Sequence, residues 1–272
     1  MKYLKTYQLF ESKTGLTKRQ EAFLNRYTKG TWTYNPATGL VDVNGDFDCS
    51  WKGAKTLRGV EFGKVSGSFD CSRNKLTSLE GAPQKVSGDF NCGVNKLTSL
   101  AGAPQEVGGD FNCEWNNQLT SLEGAPQEVR GDFDFLNSCR SLTSLAGAPQ
   151  KVGGGFYFSY NKNKLTSLKG APQEVGGAFW CSAFELSKGE WNPKGWLKVL
   201  REGSPEAQKL ILTLLSAEEL NKEIQKDPAG MIMKLKEVWN DENFKETRAK
   251  LVWPKGYAEE ADLVGDLDDV GF

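Results

Sequence analysis

Cysteine side chains recur along the chain at one position of a repeated motif. Five of the six lie two residues after a phenylalanine, namely Cys49, Cys71, Cys92, Cys113 and Cys181. A zinc site or disulfides are the chemistry that such a ladder could support. No CxxC pair is present, however, and parallel, inward-pointing thiols have poor torsional geometry for a disulfide. We therefore expect packed core thiols, with Cys139 more exposed in an enlarged loop, and predict neither a metal nor another cofactor.

Carboxylates form a second series around the same phenylalanines. One column of the motif contains Asp46, Ser68, Asp89, Asp110, Asp132, Gly155 and Ala178, and the next contains Asp48, Asp70, Asn91, Asn112, Asp134, Tyr157 and Trp180. A pair such as Asp132 and Asp134 could act in carboxylate-based hydrolysis. The chain has no histidine, which removes the usual general base, and an open sheet excludes water poorly. We predict that the protein is not an enzyme, with paired-carboxylate catalysis as the minor alternative.

The motif that carries these residues is an internal repeat. NKLTSLEGAPQ, which starts at Asn74, returns in near copies that start at Asn95, Asn117, Arg140 and Asn163. The phenylalanines that mark each unit are 21 to 23 residues apart, a period typical of a solenoid. Val86, Gly88, Phe90 and Cys92 alternate with polar residues, which predicts one strand with one buried face in each unit.

The residues after each strand no longer alternate, so the chain is expected to leave the sheet there. Leu97 and Leu100 are predicted to fill a continuous interior, and Asn95 to bridge backbone groups of the loop. Gly102 and Pro104 predict a turn before the next strand.

These letters carry a family resemblance. F-x-C-x-x-N-x-L, as in Phe69 to Leu76, resembles the L-x-L-x-x-N-x-L of leucine-rich repeats, and L-T-S-L-x-G-A-P-x-x-V is similar to their short bacterial subclass. Similar strings occur in repeat proteins of large tailed bacteriophages. The resemblance covers about residues 43–182 and implies an α/β repeat solenoid, a leucine-rich-repeat horseshoe with a parallel sheet. A parallel β-helix is the alternative fold. The family is a binding scaffold, so the resemblance implies binding without identifying the partner.

Changes of pattern predict four regions. Residues 1–42 are expected to contain a leader, a helix and a hairpin cap, residues 43–189 the array of about six to seven rungs, residues 190–256 a helical cap, and residues 257–272 an acidic tail. The tail is expected to be solvated, and a docking peptide for a basic partner is the alternative.

Capping residues mark the predicted helices of the flanking regions. Thr17 can cap a helix that runs through about Tyr27, before TWTYNPATGLVDV forms a hairpin. In the C-terminal region the expected helix starts are Ser204, Ser216, Asp227 and Asp241.

The overall charge and hydropathy exclude several classes of partner. The 34 basic and 35 acidic residues leave a net charge of −1, which gives no footprint for nucleic acid. The chain has neither an apolar run that could span a membrane nor a secretory signal. We therefore expect a cytoplasmic protein that binds another protein.

The first residues suggest a second location. They end in Leu9-Phe10-Glu11 and resemble capsid-targeting leaders of T-even-like phages, which are cut after L-x-E. This resemblance implies the alternative of a protein packaged in the virion interior and delivered to the host to block a host factor. Some bacterial proteins with similar repeats carry a ubiquitin-ligase domain with a catalytic cysteine, but no cysteine follows Cys181 here.

We place the predicted binding surface on the concave side of the array, centred on rungs four to six. Its predicted residues are Asp89, Asp110, Asn112, Trp115, Asp132, Asp134, Leu136, Tyr157, Tyr160 and Trp180. The aromatic side chains would anchor the partner and the carboxylates would steer a basic partner. In the alternative interpretation this is a solvated face whose Asp and Asn side chains satisfy backbone donors.

Overall fold

The computed structural model describes residues 15–138, 142–159, 165, 167–242 and 244–257. Its repeated part is a parallel β-solenoid of about six turns with a repeat of about 22 residues, followed by a helical region. The predicted leader, Cys139, Tyr160 and the acidic tail after Tyr257 lie outside the described residues. Within those residues, no helix combines the length and the apolar composition needed to cross a membrane.

A helix and a hairpin precede the first turn, as predicted. Helix α1 (Lys18–Tyr27) begins at Thr17, whose side chain accepts the Gln20 N–H while the Gln20 side chain accepts the Thr17 N–H, a capping box. Strands β1 (Thr28–Asn35) and β2 (Leu40–Asp48) pair antiparallel across a Pro- and Gly-containing turn.

Each turn of the solenoid contributes two short parallel strands, one to each of two series that β2 joins into one continuous sheet; we call the series the valine sheet and the phenylalanine sheet. The valine sheet consists of β3 (Phe62–Val65), β5 (Lys85–Val86), β7 (Glu106–Val107), β9 (Glu128–Val129), β11 (Lys151–Val152) and β13 (Glu174–Val175). The phenylalanine sheet consists of β4 (Phe69–Asp70), β6 (Phe90–Asn91), β8 (Phe111–Asn112), β10 (Phe133–Phe135), β12 (Phe156–Phe158) and β14 (Phe179–Cys181). Strand β2 pairs with both β3 and β4, and β15 (Phe184–Leu186) closes the second sheet antiparallel to β14.

The single strand predicted for each unit was wrong, because the chain bends between its two halves. In the second unit the bend lies at 87–89, and Gly88 packs against the preceding turn. A Cβ on Gly88 would come within 2.6 Å of Ser68 Oγ and 2.9 Å of the Gly67 backbone. The alternation of apolar residues does predict which side chains are buried, but it contains no information about the direction of the strand.

Stacked phenylalanine rings run through the interior. Adjacent rings of the ladder Phe47, Phe69, Phe90, Phe111, Phe133, Phe156 and Phe179 have centroids 5.1 to 5.7 Å apart. Phe23 of α1 packs on the first ring at 5.5 Å, and Trp191 stacks on the last at 3.7 Å. The flanking regions therefore cover the two open ends of the core, as a solenoid requires.

Buried asparagines join neighbouring turns. Asn95 Nδ2 donates to the Cys92 carbonyl at 3.0 Å and to the Cys71 carbonyl of the preceding turn at 3.2 Å, while its Oδ1 accepts the Leu76 N–H at 3.0 Å. Asn74 and Asn116 make equivalent bonds. These contacts confirm that the Asn of the motif bridges backbone groups, and they satisfy buried polar atoms that would otherwise cost stability.

The helical region begins after Trp191. Its helices are α2 (Pro193–Glu202), α3 (Pro205–Leu212), α4 (Ala217–Lys226), α5 (Pro228–Leu235), a 3-10 helix (Lys236–Val238) and the short α6 (Lys245–Arg248). The predicted caps at Ser204, Ser216 and Asp227 are confirmed. Helix α2 begins at Asn192, a cap that was not predicted, whose side chain accepts the N–H groups of Lys194 and Gly195.

The helix start predicted at Asp241 was wrong. The Asp241 carbonyl accepts the Phe244 N–H at 2.9 Å, so the chain makes one turn there before α6 begins. Phe244 is buried and directly precedes α6, so the helix begins after it rather than at Asp241.

Candidate binding surface on the phenylalanine sheet

The outward-facing residues of the phenylalanine sheet form a column in which each residue lies beside its counterpart in the next turn. Register pairs place Asn112 beside Asp134, Asp134 beside Tyr157, and Tyr157 beside Trp180. All four side chains are half-buried. The structure therefore brings the polar and aromatic ends of the predicted surface together on one continuous face.

Two side chains of this column also form hydrogen-bonded turns at the ends of their strands. The Oδ1 atoms of Asn112 and Asp134 accept the N–H groups two residues further on, Glu114 at 3.1 Å and Leu136 at 2.9 Å. These Asx-turns direct the chain out of the sheet. A folding role therefore accompanies any binding role of Asn112 and Asp134.

The first acidic column forms a hydrogen-bonded ladder along the bend. Asp89 accepts the Asp110 N–H at 2.9 Å, Asp110 accepts the Asp132 N–H at 2.8 Å, and Asp132 accepts the Gly155 N–H at 2.6 Å. Each bond uses one carboxylate oxygen and joins adjacent turns. This geometry gives these aspartates a structural reason to recur, as the alternative interpretation of the sequence proposed.

Asp134 has the most perturbed carboxyl group of the face. Its pKa is raised from 3.8 to about 6, chiefly because burial removes water from the charged form. The hydrogen bond from the Leu136 N–H opposes this rise, and like-charge repulsion from Glu114, Asp132 and Asp110 adds to it. A positive charge placed here would relieve that repulsion.

Tyr157 lies against this acidic group. Its pKa is raised by burial and then by the charges of Asp132, Asp134 and Glu185. The ring lies over Gly155, where a Cβ would overlap the phenol. Gly155 therefore provides the space for the ring, which is half-buried rather than projecting into solvent as its exposed position in the motif suggested. We call Asp110, Glu114, Asp132, Asp134, Tyr157 and Trp180 the acidic-aromatic patch.

Two further predicted residues lie at the margin of this patch. The Trp115 N–H donates to the Leu136 carbonyl at 3.1 Å, so the loops that carry them are adjacent. Trp115 is 48% exposed, whereas Leu136 is half-buried.

Sequence reasoning singled out Trp115 but missed the row to which it belongs, four positions after the ladder phenylalanines. The row consists of Trp51, Arg73, Val94, Trp115 and Asn137, and we call it the edge row. All five have a left-handed backbone, with φ between 54° and 59°. The constant spacing from the phenylalanines could have revealed this row, because the acidic columns were found by counting from the same phenylalanines.

The cysteine ladder lies inside the solenoid. Cys49, Cys71, Cys92, Cys113 and Cys181 are buried free thiols. Burial, the largest cause in both cases, raises the pKa of Cys49 to about 12 and that of Cys181 to about 11. No group of three or more potential metal ligands occurs among the residues that the structure describes.

Comparison of the chain with protein-family models, curated proteins and solved structures gives no significant match. Function is therefore inferred from the geometry of the surface alone.

Proposed function

We propose that the chain is a non-catalytic binding protein that recognises a basic segment of a protein partner through the acidic-aromatic patch. The observation that carries this proposal is the half-buried carboxyl group of Asp134. Several carboxylates surround it, and no cation among the described residues forms a salt bridge with it. A lysine or arginine of a partner would supply the missing charge.

Aromatic side chains beside the carboxylates support the same ligand chemistry. Tyr157 and Trp180 lie in register on adjacent strands, next to Asp134. An aromatic face attracts a cation through its quadrupole, and large aromatic residues often supply the main binding energy of an interface. The patch therefore offers both a charge partner and a packing surface to a basic side chain.

Proton linkage gives the proposal a pH signature. A bound cation favours the charged form of Asp134 and so lowers its pKa below the value of about 6 in the free protein. At pH values below about 6, binding of the partner must then displace a proton from Asp134, whereas above this pH the carboxyl group is already charged. Affinity should consequently rise as pH increases through this value and level off at neutral pH.

A raised carboxyl pKa also suits a general acid, so catalysis by Asp132 and Asp134 is the competing proposal. Binding is favoured because each residue uses one oxygen to hold backbone, Gly155 and Leu136 respectively. The patch also lies on the outward-facing side of the phenylalanine sheet, whereas catalytic groups are usually found in clefts.

The fold subtype that we propose is a leucine-rich repeat rather than a parallel β-helix. The buried Asn95 bridge and the buried Leu97 and Leu100 of a helix-free segment support this proposal. The two short strands of each turn fit either architecture. In both cases the patch lies on the outer face of the phenylalanine sheet.

A peptide array graded in net charge, from acidic to basic, tests the proposed function. We expect the wild-type protein to retain basic peptides, and Asp134→Asn to weaken their binding. Glu128→Gln is the matched control, since Glu128 is an exposed carboxylate on the valine sheet. Equal retention of acidic and basic peptides, or equal losses in the two variants, would contradict the proposal.

A further inference from the structure

The edge row combines exposure with an unfavourable backbone. Trp51, Val94 and Trp115 are 69%, 40% and 48% exposed, and they are three of the five large hydrophobic side chains that are exposed in the described part of the chain. Bulky and β-branched residues rarely adopt positive φ, which glycine and asparagine tolerate far better. Folding alone does not account for tryptophan and valine at these positions.

Backbone hydrogen bonds tie the residues of the row to the next turn. The N–H groups of Arg73 and Val94 donate to carbonyls of the next turn, Gly93 at 2.9 Å and Glu114 at 2.8 Å. Asn137 occupies the same position in a later turn with φ of 58°. Asparagine is therefore compatible with this conformation. The two tryptophans occupy positions whose left-handed backbone suits asparagine better.

A groove of about 580 Å³ lies beside the middle of the row, where Arg73, Val94 and Trp115 line it. It is lined by Arg73 and Lys96, by the carboxylate of Glu114, and by the amides of Asn91 and Asn117. Arg73 also stacks on the Trp51 ring, with its guanidinium carbon 4.6 Å from the ring centroid. The row and its groove thus combine planar indole rings with amides, cations and a carboxylate, and the groove has little net charge.

We propose that the edge row and its groove bind a neutral glycan chain. Indole faces pack against the C–H faces of sugar rings, while amides, carboxylates and cations bond to hydroxyl groups and fix orientation. Successive turns are about 4.8 Å apart, so Trp51 and Trp115, three turns apart, are separated by about 14 Å. An extended oligosaccharide can span both rings.

Two other polymers fit this surface less well. A polyanion such as single-stranded nucleic acid requires a positively charged groove, whereas Glu114 lines this one and Asp70 lies in register with Asn91 of its lining. An extended peptide would pair with a free strand edge, but the strands that precede the groove loops, β4, β6 and β8, each pair with a strand on both sides. Neither objection applies to a neutral glycan.

The test uses an array of neutral hexose and N-acetylhexosamine oligomers, followed by calorimetry with each oligomer retained. We expect at least one oligomer to bind the full-length protein, and Trp51→Asn with Trp115→Asn to weaken it by about tenfold or more. The same double variant should keep or raise the melting temperature, because asparagine relieves the left-handed backbone. Met233→Ala, an exposed apolar side chain in α5, is the matched control and should bind like wild type.

Several outcomes would overturn this inference. These are the absence of any bound neutral oligomer, undiminished binding by the double asparagine variant, or binding of polyanions alone. A clear fall in the melting temperature of the double variant would contradict the argument from backbone strain. Trp115 lies at the margin of the acidic-aromatic patch, so basic-peptide binding is measured with the Trp51→Asn single variant. It should persist there, which lets the two proposals fail separately.

Discussion

The carboxylate of Asp110 accepts the backbone N–H of Asp132 at 2.8 Å, one turn further along the solenoid. The same bond joins Asp89 to Asp110 in the preceding turn, and in the turn before that Ser68 supplies a hydroxyl to the Asp89 N–H at 3.0 Å. One acceptor per turn therefore satisfies the backbone at the bend between the two sheets. The aspartates of the predicted binding surface therefore also hold adjacent turns of the solenoid together.

Asp110→Ala should lower the free energy of unfolding by about 0.5–1.5 kcal/mol, because the Asp132 N–H loses its acceptor. Asp110→Asn keeps an acceptor oxygen at the same place and should cost less. Urea unfolding of the two variants beside wild type measures the difference. Equal losses in both variants would mean that charge, rather than the hydrogen bond, is responsible.

Leu97→Asp or Leu122→Asp should unfold the array, since both leucines are fully buried and an unpaired carboxylate there costs several kcal/mol. Asp89→Ser is the control, because Ser68 shows that a hydroxyl serves as the acceptor in this column. Circular dichroism melts compare the three variants. Leucine variants that melt within a few degrees of wild type would show that the register is wrong.

The ladder thiols should behave as small apolar groups rather than as reactive nucleophiles. Burial raises the pKa of Cys71 and Cys92 well above the ordinary value, so little thiolate forms at neutral pH. We expect an alkylating reagent to leave the native ladder unmodified, and reducing agent to leave the melting temperature unchanged. Peptide mass mapping that finds a disulfide between adjacent turns would refute this prediction.

The sequence predicted the features that follow from a repeated apolar pattern. Spacing alone located the phenylalanine ladder, the buried leucines and the Asn95 bridge, because each copy must bury the same atoms against its neighbours. Local capping chemistry was equally readable, as Thr17 and Ser216 show with their capping boxes. Both kinds of signal depend on residue type and short-range spacing.

The features that escaped prediction depend on backbone direction and on contacts between turns. In the sequence pattern Gly88 occupies an inward position of a strand. In the structure it lies at a bend, where close packing against the preceding turn leaves no room for a Cβ. Val94 gives no local sign of a left-handed backbone, since propensity favours the opposite. The raised pKa of Asp134 likewise requires charges from other turns to be placed around it.

Tyr157→Ala with Trp180→Ala should weaken binding of a basic peptide by about 2–4 kcal/mol, because the two rings provide the packing surface of the patch. This loss should depend little on salt, in contrast to losses from removing carboxylates. Calorimetry at low and high ionic strength measures both effects. Unchanged affinity in the double variant would move the binding site away from this face.

The proposal that a basic side chain occupies the patch is tested most directly by the pKa of Asp134 itself. Carbon-detected NMR of the carboxyl group can follow its titration in the free protein and in the complex with a basic peptide retained on the array. We predict a pKa of about 6 in the free protein and a clearly lower value in the complex, because the bound cation stabilises the carboxylate. The same pKa in both states would show that the cation does not sit beside Asp134, and would contradict the proposed function.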